Sequence, residues 1–445
     1  MFSTQHSAKT PLAINQHVRQ KGPSQNDKII RQVDLKGLVV ESHPGKRKST
    51  RASTHIEYKN VDPAVEVALY YGFTPLQSPL SITKKDREVA RGLETLDKTE
   101  LSSIAPTLEE RIALLRYYEE KNLHQGQQPV MFCAEVLLGG QQKKKSYERR
   151  LAFEIIGAES SIAEATLIQT ALVTLREDAR ENLTLSINSV GDRESMNQFV
   201  RELGNHYRKY LSSLPQSCKT LLRKNPLELL KCTHAECCKV AEEAPKSIGF
   251  LGDESRRHFR EVLEFLEELE IPYRIDHTLS GNRVFATETV FEIRETTAEG
   301  GSQCIGSGVR YNNLGKRLGL GHDVPSVGLN LLLSRDKKES KASRSVRFKK
   351  PLLFLLQLGF CAKLKSLRVI EMLRKARIPL YQALCRDKLI SQLSSAERLK
   401  IPYSIILGQR EALENSVIIR NTSTRAQETV RLHNLVEYLK KMKLG

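Results

Sequence analysis

From residue 352 to 442 short apolar runs alternate with amphipathic stretches, and this rhythm restricts the fold of the C-terminal part more than any other feature does. Residues 352–358, 380–384, 404–408 and 417–421 have the apolar, β-branched composition of strands. Residues 366–377, 387–399 and 432–442 carry helical spacing between and after them. Strands separated by helices of about 10–15 residues pair in parallel through crossovers, so residues 351–445 are predicted to form an α/β domain with a largely parallel sheet.

Upstream the pattern is less regular. Residues 62–71 have helical spacing that stops at Gly72, and residues 107–122 open with a capping box, Thr107 and Glu110. Helices are also predicted over 163–180 and 255–269, and strands over 128–138, 149–156, 183–187, 284–285 and 290–294. Residues 193–247 read as mostly helical. The first 60 residues mix Gln, Ser, Lys and Pro with few aromatics and read as a disordered basic arm; residues 336–350 (DKKESKASRSVRFKK) read as a charged linker. Residues 1–26 contain no acidic side chain, which also fits an organellar presequence, although the prolines and weak amphipathicity oppose it.

The net charge of +18 is unevenly placed. Residues 336–445 hold 24 Lys and Arg against 9 Asp and Glu, and the first 60 hold 11 against 4, so the middle is slightly acidic. A positive field gathered at one end points to a polyanion, most simply nucleic acid, ahead of the plainer reading that it serves solubility. Lys337, Lys338, Arg347, Lys349, Lys350, Arg386 and Lys388 are the candidate contacts. The eight cysteines are too sparse for a disulfide scaffold and read as reduced thiols of a soluble cytoplasmic or organellar protein. The cluster Cys232, His234, Cys237, Cys238 suggests zinc, but a closed site needs four well-spaced ligands and only one such cluster occurs, so no metal is expected.

Three stretches carry a family resemblance. Residues 62–80 (DPAVEVALYYGFTPLQSPL) resemble motif 1 of class II aminoacyl-tRNA synthetases, a dimer-interface helix and strand ending here at Pro79. Residues 185–231, with Ile187-Asn-Ser-Val-Gly191 and Asn225-Pro-Leu-Glu-Leu-Leu230, are similar to the segment after motif 2 in histidyl-tRNA synthetases, where Cys218 and Cys232 also match frequent cysteines. Residues 351–443 resemble that family's anticodon-binding domain. The resemblance implies an α+β fold: a class II antiparallel sheet flanked by helices over 61–335, a helical insertion at about 193–247, and the C-terminal α/β domain. It also implies a homodimer that binds tRNA.

Set against the family's motifs, the catalytic positions have changed. The motif 2 arginine falls on Leu138 and its partner carboxylate on Gly140, while the arginine expected to grip the substrate carboxylate falls on Gly281. Of the LRPEGT stretch only Pro106 survives. Glu154 and Tyr311 keep the pocket glutamate and tyrosine positions, with Arg150 where the family has Gln. Arg335 aligns with the motif 3 arginine and is equally the first basic residue of the linker. Joining a carboxylate to an α-phosphate needs such charge donors, each worth about 10²–10³ in rate. The resemblance with these losses implies a pseudo-enzyme that binds tRNA or another RNA and needs no cofactor. Two alternatives stay open: a divergent histidine–tRNA ligase using ATP and Mg²⁺, with Lys144, Arg150 or Arg283 standing in, and a regulatory or scaffolding subunit such as that of ATP phosphoribosyltransferase, or a polymerase accessory factor.

Overall fold

The computed structural model describes residues 55–58, 63–76, 80–94, 104–126, 128–136, 148–296, 300–334, 346–383, 385–386 and 388–444. Leu138, Gly140, Lys337, Lys338, Arg335 and Pro79 lie outside them, as do residues 141–147.

An eight-stranded sheet forms the core. Its strands run in the order Thr74–Pro75, Val130–Val136, Glu148–Ile156, Ser326–Ser334, Ser302–Arg310, Thr287–Thr296, Leu183–Gly191, Tyr273–Ile275. Every internal pairing is antiparallel and only the two edge strands pair in parallel. Alternation along the central strands sorts side chains to two faces. Leu151, Phe153 and Ile155, with Val327, Leu329 and Leu331 opposite, face the helices Ile162–Glu177 and Asp253–Glu268 in one apolar cluster. The other face carries Arg150, Glu154, Gly328 and Asn330, and is covered by the helix Leu108–Glu120 and the helical insertion that starts with Arg193–Lys209.

The C-terminal sheet is mixed. Tyr381–Gln382, Leu353–Gln357 and Tyr403–Leu407 are parallel, but Ser416–Asn421 and Gln427–Arg431 continue it antiparallel. The connection between these last two strands is a tight turn in which Asn421 Oδ1 accepts from the Ser423 and Thr424 amides at 2.9 and 3.0 Å. A turn that short leaves no room for a crossover helix.

Two expectations change. The strand His55–Tyr58 lies inside the predicted disordered arm and pairs with Val346–Lys349 inside the predicted linker. Phe348 explains the docking of the second strand: it is buried against Leu69 and meets Tyr70 edge-on at 5.0 Å. Residues 284–285 form a turn rather than a strand, because Asn282 Oδ1 accepts from the Val284 amide and the Asn282 carbonyl from that of Ala286. The helix Lys84–Leu93 was missed, although Thr83 and Asp86 spell its capping box. No described helix is long and apolar enough to cross a membrane.

Candidate functional site

The polar face of the central strands is closed by ion pairs. Thr107 starts its helix with a reciprocal cap, in which the Glu110 carboxylate accepts from the Thr107 amide at 3.0 Å. The same carboxylate reaches into the sheet, accepting from Arg150 at 2.9 Å and from the Asn330 amide at 3.0 Å. One residue later Arg111 projects its guanidinium onto Glu154, and the Tyr311 hydroxyl donates to the other Glu154 oxygen at 2.7 Å. Arg111 also stacks over the Tyr311 ring, 5.5 Å from its centroid. Arg111 and Glu154 are 1% and 2% exposed, and Glu110 and Arg150 are buried as well. Two cations and two anions thus share one dry site with their charges balanced.

Gly328 makes this packing possible. Paired with Glu154 across the sheet, it leaves open the volume that the Glu154 carboxylate and Arg111 guanidinium occupy; any Cβ there would collide with both. Gly308 sits inside a strand, where the Phe291 ring fills the place of a side chain. Gly281 adopts φ +63°, and a Cβ on it would lie 2.7 Å from Ala286 and 2.9 Å from Val290. An arginine at that position has no path into the core without backbone movement.

What space remains is small. A cavity of about 30 Å³ opens among Pro106, Lys231, Gly281, Phe285, Glu292 and Gly308. That is room for about one water molecule, where small-molecule sites measure about 300–1,000 Å³. Neither Glu154 nor Tyr311 lines it. Behind the sheet a second buried ion cluster pins the other layer: Glu164 accepts from Arg310 and lies 2.7 Å from His258 Nε2. Burial works to raise the Glu164 carboxyl, but the Arg310 guanidinium and the His258 ring outweigh it and hold it at about 2.

An anticodon binding domain family matches residues 361–442. Among curated proteins, a histidine–tRNA ligase of Dehalococcoides mccartyi is 27% identical over 393 residues, 85% of this chain and 94% of that protein. A histidine–tRNA ligase of Halothermothrix orenii is 30% identical over 298 residues, 66% of this chain and 70% of that protein. The chain belongs to the histidine–tRNA ligase family. Apo histidyl-tRNA synthetase from S. aureus aligns at a TM-score of 0.46 with 24% identity, covering 84% of this chain and 93% of that one.

Within the family frame, the structure places Glu154 and Tyr311, two residues singled out in the sequence, in contact, and adds Arg111, which no motif had singled out. Its signal was available: a basic residue one place after the capping Glu110, on a helix whose neighbouring positions are Leu108, Ile112 and Leu115. The anticodon-binding-like domain docks on the core through Arg374 to Glu177 (3.0 Å), Arg368 to Glu270 (3.0 Å) and Tyr71 to Glu371 (2.8 Å). Part of the basic surplus is therefore spent inside the molecule. Arg386 is half-buried and donates to the Gln128 carbonyl at 2.8 Å, while Lys349, Lys350 and Lys388 are exposed. Arg386 and Lys388 line an open cleft of about 420 Å³ where the two domains meet. Arg347 belongs to the strand Val346–Lys349.

Proposed function

We propose that this chain is a non-aminoacylating member of its family that binds tRNA, or another structured RNA, through its C-terminal domain and needs neither ATP nor Mg²⁺ to do so. The observation that carries the first half is the occupation of Glu154. A carboxylate that would read a substrate is already neutralised by Arg111 and bonded by Tyr311, under a sheet position that only glycine can fill. With Gly281 in place of an arginine, the substrate carboxylate also loses its partner. Each lost donor of this kind costs about 3–4 kcal/mol of transition-state stabilisation, and the losses at Leu138 and Gly281 span ATP and amino acid together.

RNA binding is supported by the anticodon binding domain match and by the exposed Lys388, Arg398, Lys400, Arg425, Arg431 and Lys440 on that domain. Homodimerisation through the motif 1 region belongs to the same proposal. Pyrophosphate exchange with histidine and ATP, run beside filter binding of tRNA across a salt series, tests both halves. The expected result is no exchange, with tRNA affinity falling steeply as salt rises. Exchange at an ordinary rate would return the chain to the divergent ligases. Absence of tRNA affinity at low salt would end the RNA reading and favour a protein partner.

A further inference from the structure

The helical insertion holds a second cluster that the proposed function does not use. Cys218 lies in the helix Gln216–Lys224, Cys232 caps the turn Pro226–Lys231, His234 precedes the helix Ala235–Glu242, and Cys237 sits in that helix's first turn. Residues 232–238 alone hold too few well-spaced ligands for zinc; the fold adds Cys218 from 14 residues before Cys232. Cys218 Sγ is 3.5 Å from Cys232 Sγ and 3.5 Å from His234 Nδ1, and Cys232 Sγ is 3.2 Å from the same nitrogen. Cys237 Sγ joins them, the three sulfurs lying within 4.8 Å of one another.

We propose that Cys218, Cys232, His234 and Cys237 form a structural zinc site of the Cys₃His type. A tetrahedral centre with Zn–S bonds of about 2.3 Å places its ligand atoms about 3.8 Å apart; the Cys218, Cys232 and His234 atoms, 3.2–3.5 Å from one another, and the three sulfurs, within 4.8 Å, approach that spacing without an ion. The His234 side chain makes no cap to its helix, so its Nδ1 is turned to the thiols instead. Cys238 is excluded: its thiol donates to the Cys232 carbonyl at 3.2 Å. A disulfide between Cys218 and Cys232 would account for two of these groups and leave the imidazole and the third sulfur without purpose. Four ligands with no open position suit a structural rather than a catalytic ion. The ion would lock two helices and the turn between them into one unit beside Lys231, which lines the small core cavity.

Elemental analysis of the full-length protein, purified without chelators and without a metal-affinity tag, tests this. The expected content is about one zinc per chain, as for other closed four-ligand sites. Cys237→Ser and Cys218→Ser should lose it, and Cys361→Ser, an exposed cysteine of the C-terminal domain, should keep it. Because the first two positions are buried and their variants can fail to fold, the wild type also carries a test of its own. Expression in cobalt medium should give the ligand-field and thiolate charge-transfer bands of a tetrahedral site. Wild-type protein without zinc after dialysis against zinc, or with a Cys218–Cys232 disulfide in its peptide map, would overturn the proposal. So would zinc retained by a folded Cys237→Ser protein.

Discussion

Replacing Arg111 with methionine separates a structural pocket from a substrate pocket. In the folded protein Glu154 has two partners, and the guanidinium is the one that carries charge. Methionine fills a similar volume but leaves a carboxylate in a site only 2% exposed, with the Tyr311 hydroxyl as its remaining donor. Breaking one side of a buried pair costs about 3–5 kcal/mol, because the surviving charge keeps its desolvation penalty and loses its compensation. For a core of this size that corresponds to a fall of about 10 °C in the melting transition. The double variant Arg111→Met, Glu154→Gln removes both charges and keeps an acceptor for Tyr311, so it should recover most of the loss. Denaturant titration of the wild type, both single variants and the double closes the cycle, and the double should lose clearly less than the sum of the two singles. A loss below about 1 kcal/mol for Arg111→Met, with histidine binding gained, would show that Glu154 is held for a ligand and that the reading of this site is mistaken.

Other consequences follow from the same contacts. Glu164 is held at about 2 against an unperturbed 4.5, so its contribution is fully present above pH 4.5 and is lost as pH falls toward 2. Urea midpoints measured through that window should fall more steeply for the wild type than for Glu164→Gln. Gly281→Arg should not restore histidine binding and should destabilise by about 1–3 kcal/mol, since a left-handed backbone and two close neighbours both resist it; calorimetric titration and a denaturation curve check the two parts. Gly328→Ala should unfold the core at lower denaturant by displacing Arg111 from Glu154, whereas Gly249→Ala, in open space and without a left-handed backbone, should lose far less. Lys388→Glu should lower tRNA affinity and reduce the salt slope by about 1, read by filter binding.

The C-terminal domain was legible because its signals are local: apolar runs, helical spacing and turn residues each act within about ten residues. The departures come from pairing over distance. Nothing in His55–Tyr58 announces Val346–Lys349 as its partner, because a two-stranded pairing depends on what lies almost 300 residues away. The core site divides the same way. Glu154, Tyr311 and Gly281 were readable through the family's motifs. Arg111 was not, since its role exists only when the capping turn at Thr107 is laid across the strand that carries Glu154. Likewise Cys218 is an ordinary helical cysteine until the chain folds back to Cys232.

On the function proposed above, that long-range meeting also lets a fold of this kind stand without a substrate in its site. A buried carboxylate needs a positive partner, and in a binding site the ligand supplies it on arrival, leaving the empty protein less stable than it could be. Here Arg111 supplies it permanently, and Glu110 with Arg150 repeats the arrangement one step along the strand. The resident pairs make the core independent of any ligand, and Gly328 provides the room for them. A site stabilised in this way can reopen to substrate only by expelling a guanidinium into water while leaving Glu154 unpaired. The cost of that step, of order 3–5 kcal/mol before any substrate binds, would raise the apparent dissociation constant by roughly a hundredfold or more.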